Sequence, residues 1–204
     1  MEEMKKTTKK KKKAWLWVLL AVILAALLFL LHQCGSPLGT PTLTVETPPQ
    51  KLAAGEEVTL DVTVSQLGEA LYPAASVSIA FDPSRLEFLA VEEGNVFILD
   101  AANTAGQQLP NWNCNVQNSN DTGRINVMYL DMTGGKYAFS RDLLAEENNV
   151  VLRLRFRLRG SARSGDVLDL IVEDAVFAAS DESQSLAMTR GTLRARSGRL
   201  VVGE

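Results

Sequence analysis

The sequence is poor in the residues that build most reactive sites. It has two cysteines and one histidine in 204 residues. Cys34 and Cys114 cannot form a disulfide framework. His32 lies beside Cys34, but two ligands do not complete a zinc site, so both read as residues at the end of an apolar segment. Aromatic residues make up 6%, and beyond Cys34 there are one Trp and three Tyr, thin material for a sugar-stacking platform. Positive charge is scarce there too, with 14 Lys and Arg against 22 Asp and Glu, a local charge of −8. Such a surface does not suit nucleic acid, whose binding needs clustered cations to release counterions. The acidic pairs Glu92-Glu93 and Glu146-Glu147 are neighbours in sequence, and neighbours rarely converge as general acid and base. No enzyme reading emerges.

What is present is divided sharply along the chain. Residues 1–13 hold seven Lys against Glu2 and Glu3, a basic tail of charge +5. The run AWLWVLLAVILAALLFLL, residues 14–31, has no charge in 18 positions. As a helix it is about 27 Å long, close to a hydrocarbon core of about 30 Å. Lys9 to Lys13 place its N-terminus in the cytoplasm, with Trp15 and Trp17 in the interfacial belt. The expectation is a single-pass plasma-membrane protein whose C-terminal domain is extracellular. No small-residue cleavage site precedes that domain, which favours an uncleaved transmembrane anchor. The other options are cleaved secretion and a lipoprotein signal, which would lipidate Cys34 although Gln33 stands before it. Residues 32–41 form a short linker ending in GSPLGTP, and residues 42–204 form the outer domain.

That domain reads as short strands separated by turns. EVTLDVTVS puts Val58, Leu60, Val62 and Val64 on one face, and ASVSIAF puts Val77, Ile79 and Phe81 inward. Asp82-Pro83 then makes a corner: the Asp side chain accepts from the backbone just after it, and Pro fixes φ. RLEFLAVE resumes the rhythm, and GRINVMYLD follows NSNDTG, read as a turn. In VVLRLRFRLRG, Leu152, Leu154, Phe156 and Leu158 alternate with Arg153, Arg155, Arg157 and Arg159. The arginines could hold an anion or glycan, but a strand with one buried face needs a soluble other face, which explains them more simply. DVLDLIVEDAVF and GTLRARSGRLVV complete the pattern, with SRDLLAEEN the one helical suspect, of a turn or two. With no long amphipathic helix after residue 31, the expected fold is all-β, an antiparallel β-sandwich or jelly roll preceded by one transmembrane helix.

The same stretches carry a family resemblance. VSIAFDPSRLEFLAVEEGNVF is similar to the strand, Asp-Pro corner and strand of cohesin domains, extracellular modules that bind dockerins in cellulosome-type assemblies. INVMYLDMTGGKYAF resembles the family's strand and Thr/Gly-rich loop, VVLRLRFRLRGSARSGD its penultimate long strand, and GTLRARSGRLVV its closing strand. The resemblance spans about residues 42–202 and implies a nine-stranded jelly roll. It also implies a partner face formed by Ser76, Ser78 and Ala80, then Met128, Leu130, Asp131 and Thr133, with Ala178 nearby. Alternation points Met128 and Leu130 outward if Ile125, Val127 and Tyr129 face the core. The family often has Asn or Asp near positions 74 and 76, where this chain has Ala74 and Ser76. No cofactor is implied in this chain, since calcium belongs to the dockerin-like partner.

Other features compete with this reading. Trp112, Tyr72 and Tyr137 could stack on polysaccharide if they shared a face, which makes a carbohydrate-binding surface module the second reading. NWNCNVQNSNDTG lacks the acidic ligands of a calcium loop and reads as a solvated hairpin loop. Asn120-Asp121-Thr122 within it matches a glycosylation sequon, although a turn accounts for it as well.

Overall fold

The computed structural model describes residues 39–97, 111–144 and 147–203. The basic tail and the expected transmembrane helix at 14–31 lie outside them. Among the described residues, no helix is long and apolar enough to cross a membrane.

Alternation along each strand builds two layers. The first sheet contains β1 (Thr42–Val45), β2 (Glu57–Val64), β4 (Leu86–Glu93), β6 (Val150–Leu158) and β9 (Arg194–Arg196), in the order β4-β6-β2-β1-β9. The second contains β3 (Ala74–Ala80), β5 (Arg124–Leu130), β7 (Val167–Ala178) and β10 (Gly198–Val201), in the order β10-β7-β3-β5. The two-residue β8 (Leu186–Ala187) pairs with β7. Leu60, Val62, Leu152, Leu154 and Phe156 of one sheet face Val77, Ile79, Ile125, Val127 and Phe177 of the other across a continuous core. Each large side chain buried there contributes about 1.5–3 kcal/mol.

Three expectations change. The closing segment is two strands rather than one: Arg194–Arg196 pairs parallel with β1, and after Ser197 the chain crosses to pair antiparallel with β7. A Cβ on Gly198 would lie 2.8 Å from the Val45 carbonyl oxygen, so only glycine lets the chain pass β1 as it changes sheets. The sandwich is therefore not wholly antiparallel, and ten strands rather than nine occur among the described residues. NSNDTG is not a turn or hairpin loop but part of a helix, α1 (Val116–Thr122), capped by the Asn115 side chain on the Asn118 N–H and ended by Gly123 at φ 68°. The Asn-rich composition masks this helix because Asn is a poor helix former that is at home in caps. SRDLLAEEN, by contrast, supplies one 3₁₀ turn at Arg141–Leu143, within the turn or two expected.

Asn120 explains why α1 sits where it does. Its Oδ1 accepts from the Phe88 N–H at 2.9 Å and its Nδ2 donates to the Phe88 carbonyl at 2.8 Å, so one side chain pairs the free edge of β4 as a neighbouring strand would. The same Nδ2 reaches the Val116 carbonyl at 3.0 Å. The sequon's amide is thus committed to holding the fold. Asn120→Ala strands both backbone groups of Phe88 and is expected to cost about 1–3 kcal/mol in chemical denaturation.

The Asp82-Pro83 corner forms as the residues predict. Asp82 Oδ1 accepts from the Ser84 N–H at 2.9 Å and from the Ser84 hydroxyl at 2.6 Å. The Ser84 hydroxyl chiefly holds the Asp82 carboxyl below its ordinary range. This corner carries the chain from β3 in one sheet to β4 in the other.

The arginine row is a neutralised outer face. In register, Arg153 lies between Asp61 and Glu92, and Arg157 between Glu57 and Glu87. Arg153 Nε is 2.9 Å from Asp61, and Arg157 is 2.5 Å from Glu57 and 3.2 Å from Glu87. Arg155, flanked by Thr59 and Ala90, reaches Glu92 at 3.4 Å. Its buried Nε has no hydrogen-bond partner among the described residues, so losing the side chain strands nothing there. Arg155→Ser should change stability by less than about 0.5 kcal/mol in the same denaturation assay.

Candidate partner-binding face

The outer face of the second sheet has a different character. β3 runs through its middle, with β5 and β7 on either side in matched register. Its outward side chains therefore fall into transverse rows. From one end these are Leu130–Ala74–Ala178, Met128–Ser76–Val176, Asn126–Ser78–Asp174 and Arg124–Ala80–Ile171. The rows are about 7 Å apart, two residues along a strand. The central column is small throughout, forming a trough beside the ridge of Met128 (61% exposed) and Leu130 (50%).

Ser76, Ser78, Ala80, Met128, Leu130 and Ala178 are thus brought onto one face, with Val77, Ile79, Ile125, Val127 and Tyr129 inward as alternation requires. Asp131 is the correction: its side chain is buried in the loop rather than presented on the face. Its Oδ1 accepts from the Thr133 N–H at 2.8 Å and hydroxyl at 2.5 Å, and Oδ2 from the Gly135 N–H at 2.9 Å. Burial pushes its carboxyl up, but the bonds from Thr133, Gly135 and Tyr137 outweigh this and hold it below the ordinary range. Thr133 is turned inward to the same carboxylate, while Met132 between them is 80% exposed.

The lowered Asp131 pKa has a consequence for acid stability. A carboxyl depressed in the folded state stabilises fully above its unfolded value of about 4. That contribution is lost as pH falls from there through the lowered value. The protection of the Gly135 amide, taken relative to its intrinsic exchange rate at each pH, should fall below about pH 4 in the wild type. In Asp131→Asn that protection should already be low at neutral pH and change less with acid.

Sequence reasoning missed several members of this face. Met132 and Leu71 (56% exposed) flank the loop end, and Leu71 lies 3.8 Å from where a Cβ on Gly135 would sit. Asn126 was legible from the alternation that exposes Met128. Asp174 and Val176 were not, because β7 carries a bulge: Ser78 pairs with Asp174 but Ile79 with Val172, leaving Glu173 extra. Inward parity therefore switches from Leu168, Leu170 and Val172 to Ala175 and Phe177. Two carboxylates, Glu173 and Asp174, consequently reach the same side of the sheet.

The edge of β5 is closed at one point by Asn113, whose N–H and carbonyl both pair with Met128. A shallow groove lined by Ser76, Ser78, Asn113, Asn115 and Met128 runs along this rim. Cys114 also lines it, half-buried, and burial pushes its thiol pKa up, which keeps it protonated.

The rings proposed for sugar stacking are buried. Tyr72 (1% exposed), Trp112 (6%) and Tyr137 (7%) offer no exposed platform. Trp112 packs on Tyr129 and Phe139 with its Nε1 donating to the Val151 carbonyl at 2.9 Å. Tyr129 donates to the Tyr137 carbonyl at 2.6 Å. Among the described residues, no group of three or more His, Cys, Asp or Glu side chains is placed to hold a metal.

Comparison with known proteins agrees with this architecture. Among functionally curated proteins no sequence matches the chain. Solved structures of similar fold include the third ScaC cohesin of Acetivibrio cellulolyticus in complex with the ScaB dockerin, at TM-score 0.57 and 14% identity. Also similar is the OlpA cohesin of Clostridium thermocellum in complex with a dockerin, at TM-score 0.58 and 14% identity. Each alignment covers 80% of this chain and 99% of the other. A non-cellulosomal cohesin of the archaeon Archaeoglobus fulgidus matches at TM-score 0.54 and 11% identity, over 81% of this chain and 93% of its own. At such identities these relatives speak to the fold. A model of the cohesin domain matches residues 41–193, three-quarters of the sequence, and on that match the chain belongs to the cohesin domain family.

Proposed function

We propose that this protein is a membrane-anchored, extracellular cohesin module that captures a dockerin-like partner on the outer face of β3, β5 and β7. Cohesin domains are non-catalytic binding modules. The observation that carries the reading is the contrast between the two outer faces. One is an acid–arginine–acid lattice whose charges satisfy one another. The other is a trough of Ala74, Ser76, Ser78 and Ala80 beside exposed Met128, Leu130, Met132 and Leu71. An exposed apolar ridge beside a small-residue trough suits a partner helix laid along it. Cohesins related in fold are seen in complex with dockerins, which supports this choice of partner.

The anchoring part rests on the uncharged run at 14–31 and the lysines before it. An assembly on the cell surface, scaffolding or degrading polysaccharide, follows from combining that anchor with the family's binding role. The buried aromatic rings leave the carbohydrate-binding reading without an observation in its favour. Binding is tested by calorimetry of the full-length protein against dockerin modules, where saturable one-to-one binding is expected. Anchoring is tested by alkaline carbonate washing of membranes. The full-length protein should stay in the membrane fraction, and a soluble form beginning near residue 36 would overturn it.

A further inference from the structure

We infer that Asp174 sets partner specificity on this face, by requiring a lysine or arginine on the docking segment. The inference rests on the reading of the face as a dockerin site and adds which chemistry the partner must bring. The bulge in β7 sends Glu173 and Asp174 to the same side of the sheet. Arg124 neutralises Glu173 at 2.6 Å. Asp174 accepts one hydrogen bond, from its neighbour Ala175 N–H at 2.9 Å, and has no ion-pair partner among the described residues. It stands in register beside Ser78, at the centre of the trough. On the other side of Ser78, the exposed Asn126 accepts the Ser78 hydroxyl on its Oδ1 at 2.8 Å.

A segment that covers this row removes water from an unneutralised carboxylate. Unless it supplies a cation, that desolvation opposes binding. The next row, about 7 Å away, carries apolar Met128 and Val176 on either side of Ser76. A partner helix running along the strands rises about 1.5 Å per residue. Its cation over Asp174 therefore falls four or five residues from the apolar side chain that covers Val176, one row along the same strand. A further step of the same size reaches Ala178. The resulting pattern on the partner is one cation followed by two apolar residues at helical spacing.

The probe is a displayed library of the dockerin seen with the OlpA cohesin, randomised at the outward positions of its contact helix. It is selected against the full-length protein in detergent and against full-length Asp174→Lys and Asp174→Asn, each checked by thermal melting. Clones taken by the wild type are expected to carry Lys or Arg at one fixed position, four or five residues from an apolar one. They should bind Asp174→Lys about tenfold or more weakly. Clones taken by Asp174→Lys should carry Asp or Glu there. Asp174→Asn, which keeps an oxygen for the Ala175 N–H, should show no charge preference. Clones that bind wild type and Asp174→Lys equally overturn the inference while leaving the dockerin reading standing. If no clone binds any of the folded proteins, both fall.

Discussion

Phe156→Ala is expected to destabilise the domain by about 3–5 kcal/mol, the range for truncating a large aromatic in a packed core. Phe156 is fully buried on β6, a strand with neighbours on both sides in its sheet. Its ring lies 5.5 Å from that of Phe88 on β4 in the same sheet and 5.5 Å from that of Phe81, which follows β3 in the opposite sheet. Removing it leaves a cavity that backbone paired on both sides cannot close. A domain of this size has about 5–15 kcal/mol in total, so the variant should lose a large part of its stability. Urea denaturation beside Arg155→Ser gives the internal control, since that neighbour points to solvent. Equal effects at the two positions would mean that the faces of β6 are reversed.

How much of this was legible before the structure differs from element to element. β2, β3 and β5 alternate strictly and β6 does so from Leu152 onward, and a strand with one wet and one dry face declares itself by that rhythm. The Asp82 corner was legible because Asx chemistry is local. The helix α1 was hidden because its residues are poor helix formers, and what holds it in place is a distant contact, Asn120 on the edge of β4. The switch at Gly198 was hidden as well, since one continuous apolar–polar rhythm cannot show that its two halves pair in different sheets. At the site, alternation on β3 and β5 placed Ser76, Ser78, Met128 and Leu130. It could not place Asp131, whose burial depends on donors from Thr133, Gly135 and Tyr137 in its own loop, nor Asp174, which a bulge turns to the face.

The largest functional effect is expected from Ser78→Arg and Met128→Asp. Ser78 is half-buried in the trough, and its one side-chain hydrogen bond is to the exposed Asn126, so the folded domain has room for a longer chain pointing to water. Met128 stands on the exposed ridge one row away. Neither change removes core packing, and each should shift stability by no more than about 0.5 kcal/mol. Under a docked partner, Met128→Asp places an uncompensated charge where water has been excluded. Ser78→Arg fills the trough with a long side chain that occupies the neighbouring Asp174 in place of the partner's cation. Each is a loss of roughly 2–5 kcal/mol in binding. Trp112→Ala should do the reverse, lowering the melting temperature through the lost contacts with Tyr129 and Phe139 while the folded fraction still binds. The decisive measurement is calorimetric titration of a dockerin module into the wild type, Ser78→Arg and Met128→Asp, each melted in parallel. Binding by the wild type, with loss of about thirtyfold or more in both variants at unchanged melting temperature, is the predicted result. Wild-type affinity retained in both folded variants would contradict the assignment of this face as the docking site.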